Sequence, residues 1–148
     1  MLSYFKFHHI GIATNNIERT AQYYIDAGYV MSEVVYDDIQ NASIAFLEKS
    51  WMPCIELIGP PPPNIQTSKN SPVDNIIRKS GVSPYHVCYE VEDIDVAEQE
   101  LRKKKFISLS RLVVGIATSK RILFLYNKDV GLIELIERDI SQIHGRAK

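Results

Sequence analysis

Two stretches of the chain alternate apolar and polar residues as short strands and then run straight into helical spacing. In residues 7–14, Ile10 and Ile12 share one face and His9, Gly11 and Ala13 the other. Asn15 or Asn16 is placed to cap a helix, and Glu18, three residues after Asn15, stands at capping-box spacing. Ile17, Ala21, Tyr24 and Ile25 follow at helical intervals, and Gly28 is placed to end the helix. The same signals return in the second half. Val87, Tyr89 and Val91 alternate with His86, Cys88 and Glu90; Asp93 is the cap, and Ile94, Ala97 and Leu101 form the helix face. Three strand-like runs follow each helix, near 29–36, 42–48 and 53–58 and then near 106–114, 120–126 and 131–137. A turn at Asn127-Lys128-Asp129-Val130-Gly131 leads into the last run. The pattern predicts an α+β protein made of two βαβββ modules, 7–58 and 84–137, within a single domain spanning 1–148. The linker 59–83 opens on Gly59 and four consecutive prolines, which cannot continue a sheet ladder.

The modules are copies of one another. His9-Ile10-Gly11-Ile12-Ala13-Thr14-Asn15-Asn16-Ile17 matches His86-Val87-Cys88-Tyr89-Glu90-Val91-Glu92-Asp93-Ile94, and Ile55-Glu56-Leu57-Ile58 recurs as Ile133-Glu134-Leu135-Ile136. The histidines lie 77 residues apart and the glutamates 78. Duplication of this kind predicts a pseudo-twofold relation between two curved mixed sheets that enclose a cavity. Taken singly, a strand histidine is most often an ordinary core or surface residue, and a strand glutamate sits on a solvated face. The matched recurrence changes that balance. A carboxylate flanked by aliphatics needs a partner if buried, and one His and one Glu from each copy make a two-imidazole, two-carboxylate set. His9, Glu56, His86 and Glu134 are therefore the expected ligands of a divalent metal, with Zn, Ni, Co, Mn or Fe(II) all suited to such donors.

Neighbouring groups are read differently. His8 alternates to the opposite face from His9 and is not expected to ligate; His144 lies in a polar tail and is expected to be exposed to solvent. Cys54 and Cys88 each sit two residues from a ligand, on its face, and are expected to line the cavity as small apolar groups, with a ligand or reactive-thiol role as the alternative.

Composition narrows the function classes. A net charge of −1 over 148 residues gives no basic stripe for nucleic acid. The run Arg102-Lys103-Lys104-Lys105 falls at a helix end, where it complements the dipole. No apolar run is long enough for a membrane span. Two cysteines make no disulfide framework and the N-terminus shows no signal-peptide pattern, so the expected compartment is the cytoplasm.

At the duplicated residues the chain resembles the vicinal-oxygen-chelate superfamily, which includes glyoxalase I, methylmalonyl-CoA epimerases, extradiol dioxygenases and antibiotic-resistance proteins. The resemblance covers nearly the whole chain. Within the superfamily it is most similar to the methylmalonyl-CoA epimerases, through Phe7-His8-His9-Ile10-Gly11-Ile12-Ala13, Ile55-Glu56-Leu57-Ile58-Gly59-Pro60, Ser71-Pro72-Val73 and Tyr85-His86-Val87-Cys88-Tyr89-Glu90-Val91. It departs from them at Tyr85, where a histidine is usual. It departs also at Gly115-Ile116-Ala117-Thr118 and in the shortened loop Tyr126–Gly131. The resemblance implies a metal-dependent enzyme that removes a proton beside a carbonyl while the metal stabilises the enolate. Glu134 is then a ligand and acid/base group, and Glu56 a ligand able to act as base. It implies a small-molecule substrate, an acyl thioester like methylmalonyl-CoA or a thiol adduct, and a homodimer. A glyoxalase I-like lactoylglutathione lyase and a resistance-type binding protein are the alternatives.

Overall fold

Residues 2–110 and 112–138 are described by the structure, a computed structural model; His144 lies outside them. Strand β1 (Lys6–Ala13) leads to helix α1 (Ile17–Asp26). Thr14 Oγ1 accepts the Asn16 N–H, and Asn16 Oδ1 accepts the Arg19 N–H at 2.7 Å. The cap is thus Asn16, Arg19 stands where a capping-box glutamate would, and the box expected from Asn15 and Glu18 does not form. Ile17 and Ala21 are buried as expected, but Ile25 is exposed. At 100° per residue Ile25 is rotated about 80° from Ile17, off the edge of the apolar stripe. Gly28, at φ +90°, ends the helix just past its cap Ala27.

The run expected as one strand near 29–36 is two pieces, β2 (Val30–Met31) and β3 (Val35–Asp37), both antiparallel to β4 (Ala42–Glu48). Ser32 makes the break: its N–H donates to the Phe46 carbonyl and its hydroxyl accepts the Phe46 N–H. β4 pairs antiparallel with β5 (Cys54–Gly59), and β5 pairs parallel with β1. Ile12, Ile17, Ala21, Ala45, Leu47, Ile55 and Leu57 form the core beneath α1.

The linker holds a helix that periodicity did not predict, α2 (Asp74–Ser80). Ser71 donates its N–H to Asp74 Oδ2 and buried Val73 pins the entry. Upstream, Asn41 fastens the linker to the β3–β4 turn: it accepts from the Tyr36 hydroxyl and donates to the Lys69 carbonyl at 2.7 Å.

The second copy repeats the plan. β6 (Ser83–Val91) precedes α3 (Ile94–Lys103), whose cap Asp93 accepts from the Asp95 and Val96 amides. The run near 106–114 is again broken, into β7 (Ile107–Ser108) and β8 (Val113–Val114), both antiparallel to β9 (Arg121–Asn127). β9 pairs antiparallel with β10 (Gly131–Glu137), and β10 pairs parallel with β6. Val91, Ile94, Ala97, Leu101, Phe106, Leu123, Leu125, Ile133 and Leu135 form this core, with Phe5 and Tyr89 packed against it. Gly115–Thr118 is part of a tight β8–β9 turn, closed by the Gly115 N–H on the Lys120 carbonyl.

The α+β class and the repeated order of elements agree with the sequence reading. Contacts divide the chain into two compact units, His9–His86 and the remainder. The chain passes between them twice, after His8 and after His86, so each crossing falls beside one of the two duplicated histidines. No described helix is long and apolar enough to cross a membrane.

Candidate metal centre

In the unit His9–His86, strand alternation and register place the donors. Ile10, Ile12, Ile55 and Leu57 turn toward α1, which sends His9 and Glu56 to the other face of β1 and β5. Parallel pairing sets Glu56 level with Gly11, two residues past His9. On its other side Glu56 is level with Phe46 of β4, whose ring lies edge-on to His9 with centroids 5.7 Å apart. His86 comes from β6, with the Tyr85 ring edge-on at 4.5 Å.

The three side chains meet. His9 Nε2 lies 3.1 Å from His86 Nε2, Glu56 Oε2 is 3.5 Å from His86 Nε2, and Glu56 Oε2 also contacts His9 Nε2. Their donor atoms all fall within 4.8 Å of one another. Exposure is 1% for His9, 6% for Glu56 and 3% for His86, so water does little to screen them. Burial pushes the Glu56 carboxyl up, but hydrogen bonding with His86 and His9, and their charge, hold it below the usual carboxylate range. It is kept as an anion.

The set fits a divalent cation. Bonds of about 2.0–2.2 Å to nitrogen and oxygen put neighbouring ligand atoms roughly 3.0–3.5 Å apart on a common ion. The His9–His86 and His86–Glu56 separations fall in that range. Two imidazoles and a carboxylate converging away from solvent are otherwise costly, because a buried anion needs compensating positive charge.

Glu134 is placed in the other unit by the same local rules. It is 5% exposed, level with Cys88 of β6, two residues past His86, and with Phe124 of β9. Each glutamate therefore lies between the residue two after a histidine and a phenylalanine. Phe46 and Phe124 are themselves 78 residues apart, a signal that could have marked them. Pattern reading missed it because level positions depend on hairpin register, set by the loops.

Cys54 and Cys88 are not joined by a disulfide. Cys88 packs among Ile122 and Ile136, as a small apolar group. Half-buried Cys54 has its thiol pushed up to about 11 by burial and by Glu48 and Glu56. That argues against a reactive thiolate. His8 is half-buried and offers a ring nitrogen within 4.8 Å of the Cys88 sulfur.

Residues 8–124 match the family model of the glyoxalase/bleomycin resistance protein/dioxygenase superfamily. The chain belongs to this superfamily. The vicinal-oxygen-chelate resemblance is thereby borne out. Among curated proteins, the human mitochondrial methylmalonyl-CoA epimerase is 31% identical over 134 residues, covering 88% of this chain and 72% of that protein. Among solved structures, methylmalonyl-CoA epimerase from Mycobacterium tuberculosis superposes with a TM-score of 0.79 at 23% identity, covering 98% of this chain and 96% of that one. A single-substitution variant of the Streptomyces coelicolor methylmalonyl-CoA epimerase in complex with 2-nitronate-propionyl-CoA gives 0.74 at 24%, with 91% and 98% covered. At these identities the structural matches carry the fold.

Proposed function

We propose that this protein is a metal-dependent epimerase of an acyl thioester like methylmalonyl-CoA, and that Glu134 joins His9, Glu56 and His86 as the fourth ligand. The observation that carries the reading is the buried His9–Glu56–His86 set. Support for Glu134 is its level position beside Cys88, which repeats that of Glu56 beside Gly11. Support for the substrate class is the likeness to a curated methylmalonyl-CoA epimerase over most of both chains.

When bound, a divalent cation supplies Lewis-acid polarisation of a substrate carbonyl. The imidazoles of His9 and His86 serve as neutral nitrogen donors, and Phe46 and Tyr85 limit the tilt of those rings. Glu134 takes the proton beside the carbonyl and Glu56, held as an anion, is the second group able to accept or return one. Two carboxylates are what an epimerase needs, since the proton leaves one face and returns on the other.

The test is proton exchange in deuterated water. Metal-loaded protein and methylmalonyl-CoA are followed by proton NMR. The expected result is deuterium at C2 with interconversion of the epimers, faster than without protein, and abolished by Glu134→Ala. Absence of exchange together with turnover of a methylglyoxal hemithioacetal would replace this reading with the lyase one.

A further inference from the structure

We infer that Gly11 is a positioning residue that makes room for the His86 imidazole. The inference rests on the metal-centre reading and deepens it. A Cβ built on Gly11 would lie 2.1 Å from His86 Cε1 and 2.5 Å from both ring nitrogens, closer than such atoms ever approach. The imidazole thus rests directly on the backbone of β1. Gly11 is on the ligand face of that strand, two residues past His9, and level with Glu56 across the β1–β5 ladder. The missing side chain opens a slot between the other two donors, and the His86 ring occupies it. A methyl group at Gly11 fills the slot and forces the ring aside, carrying Nε2 away from its 3.1 Å approach to His9 Nε2.

Backbone strain is not the reason for this glycine, whose φ is not among the positive values seen at Gly28, Gly81 and Gly131. Space is the reason. Gly59 provides the contrast: a Cβ there would meet Ile17 Cγ1 at 3.0 Å and Cδ1 at 3.3 Å, on the helix side of β5, and no ligand. The corresponding residue in the second copy is Cys88, which carries a side chain, so the duplication is asymmetric at this position.

Gly11→Ala and Gly59→Ala are compared with the wild type by far-UV circular dichroism, cobalt titration and the visible spectrum of the Co(II) form. The expected result is that folded Gly11→Ala binds cobalt at least tenfold more weakly, with an altered d–d band, while Gly59→Ala matches the wild type in both. Wild-type affinity and spectrum in Gly11→Ala would overturn the inference. A double-mutant cycle in metal-free protein tests the steric link separately. Gly11→Ala should lower Tm in the wild-type background and do so far less in His86→Ala, where the ring is gone. An equal drop in both backgrounds would also overturn the inference. Wild-type protein that binds no cobalt would remove the metal-centre reading, and the cycle would still decide whether Gly11 positions His86.

Discussion

A carboxylate and two imidazoles at hydrogen-bond distance in a buried site are held there by strand alternation and register. Their roles can be separated by substitution. Glu56→Gln keeps the shape of the side chain but removes the anion, and is predicted to weaken metal binding at least tenfold, read by titration calorimetry. Glu134→Ala is predicted to lower metal content per chain, measured by elemental analysis. Retention of full content in Glu134→Ala would leave three ligands and remove Glu134 from the set. The duplicated His and Glu motifs marked all four residues as candidates in the sequence, and alternation gave the face of each. What the sequence did not show at this scale was the company they keep. Phe46 is level with Glu56 because the loop Lys49–Pro53 sets the β4–β5 register, and the edge-on Tyr85 ring depends on rotamers.

At the scale of elements, helices α1 and α3 are started by side-chain caps. Asn16→Ala and Asp93→Ala are each predicted to cost about 1 kcal/mol in denaturant unfolding, since each leaves helix N–H groups without acceptors. α3 is also tied to the sheet. Glu137, at the end of β10, accepts from Arg121 of β9 and from the Ile94 amide at the start of α3, and Arg121 reaches Asp95 as well. The bond from Arg121 is the main reason that the Glu137 carboxyl lies below its ordinary 4.5; burial opposes it, and the Ile94 amide adds to it. A depressed native value means that the stabilisation is present above that ordinary value and is lost as pH falls through the native one. Glu137→Gln is therefore predicted to lower Tm at neutral pH and to flatten the acid limb of a Tm-against-pH curve; an unchanged acid limb would show that the pairing contributes nothing. Helices α1 and α3 and the long strands were legible because their stripes are continuous. The breaks between β2 and β3 and between β7 and β8 were not, because apolar composition does not report that the hydroxyls of Ser32 and Ser110 accept amides of β4 and β9. α2 escaped because seven residues with no side-chain cap and no buried face carry no periodic signal.

For the whole molecule, duplication is the fact from which the rest follows. It gave the α+β class and the repeated order of elements, and the duplicated residues carried the resemblance to the superfamily. The division into His9–His86 and the remainder was not readable, since it cuts through the two strands β1 and β6 that the repeat marks as single elements. Metal bound at the proposed ligand set is expected to stabilise the folded chain. A free metal concentration a hundred times Kd should add about 2.7 kcal/mol to unfolding, seen as a higher Tm that a chelator reverses. The most direct measurement is a crystal structure of metal-loaded protein with anomalous scattering recorded at the absorption edge of the metal. One strong peak per chain is expected, bonded to His9 Nε2, His86 Nε2 and the carboxylates of Glu56 and Glu134. A peak elsewhere, or none in protein shown to be loaded, would contradict the proposed ligand set.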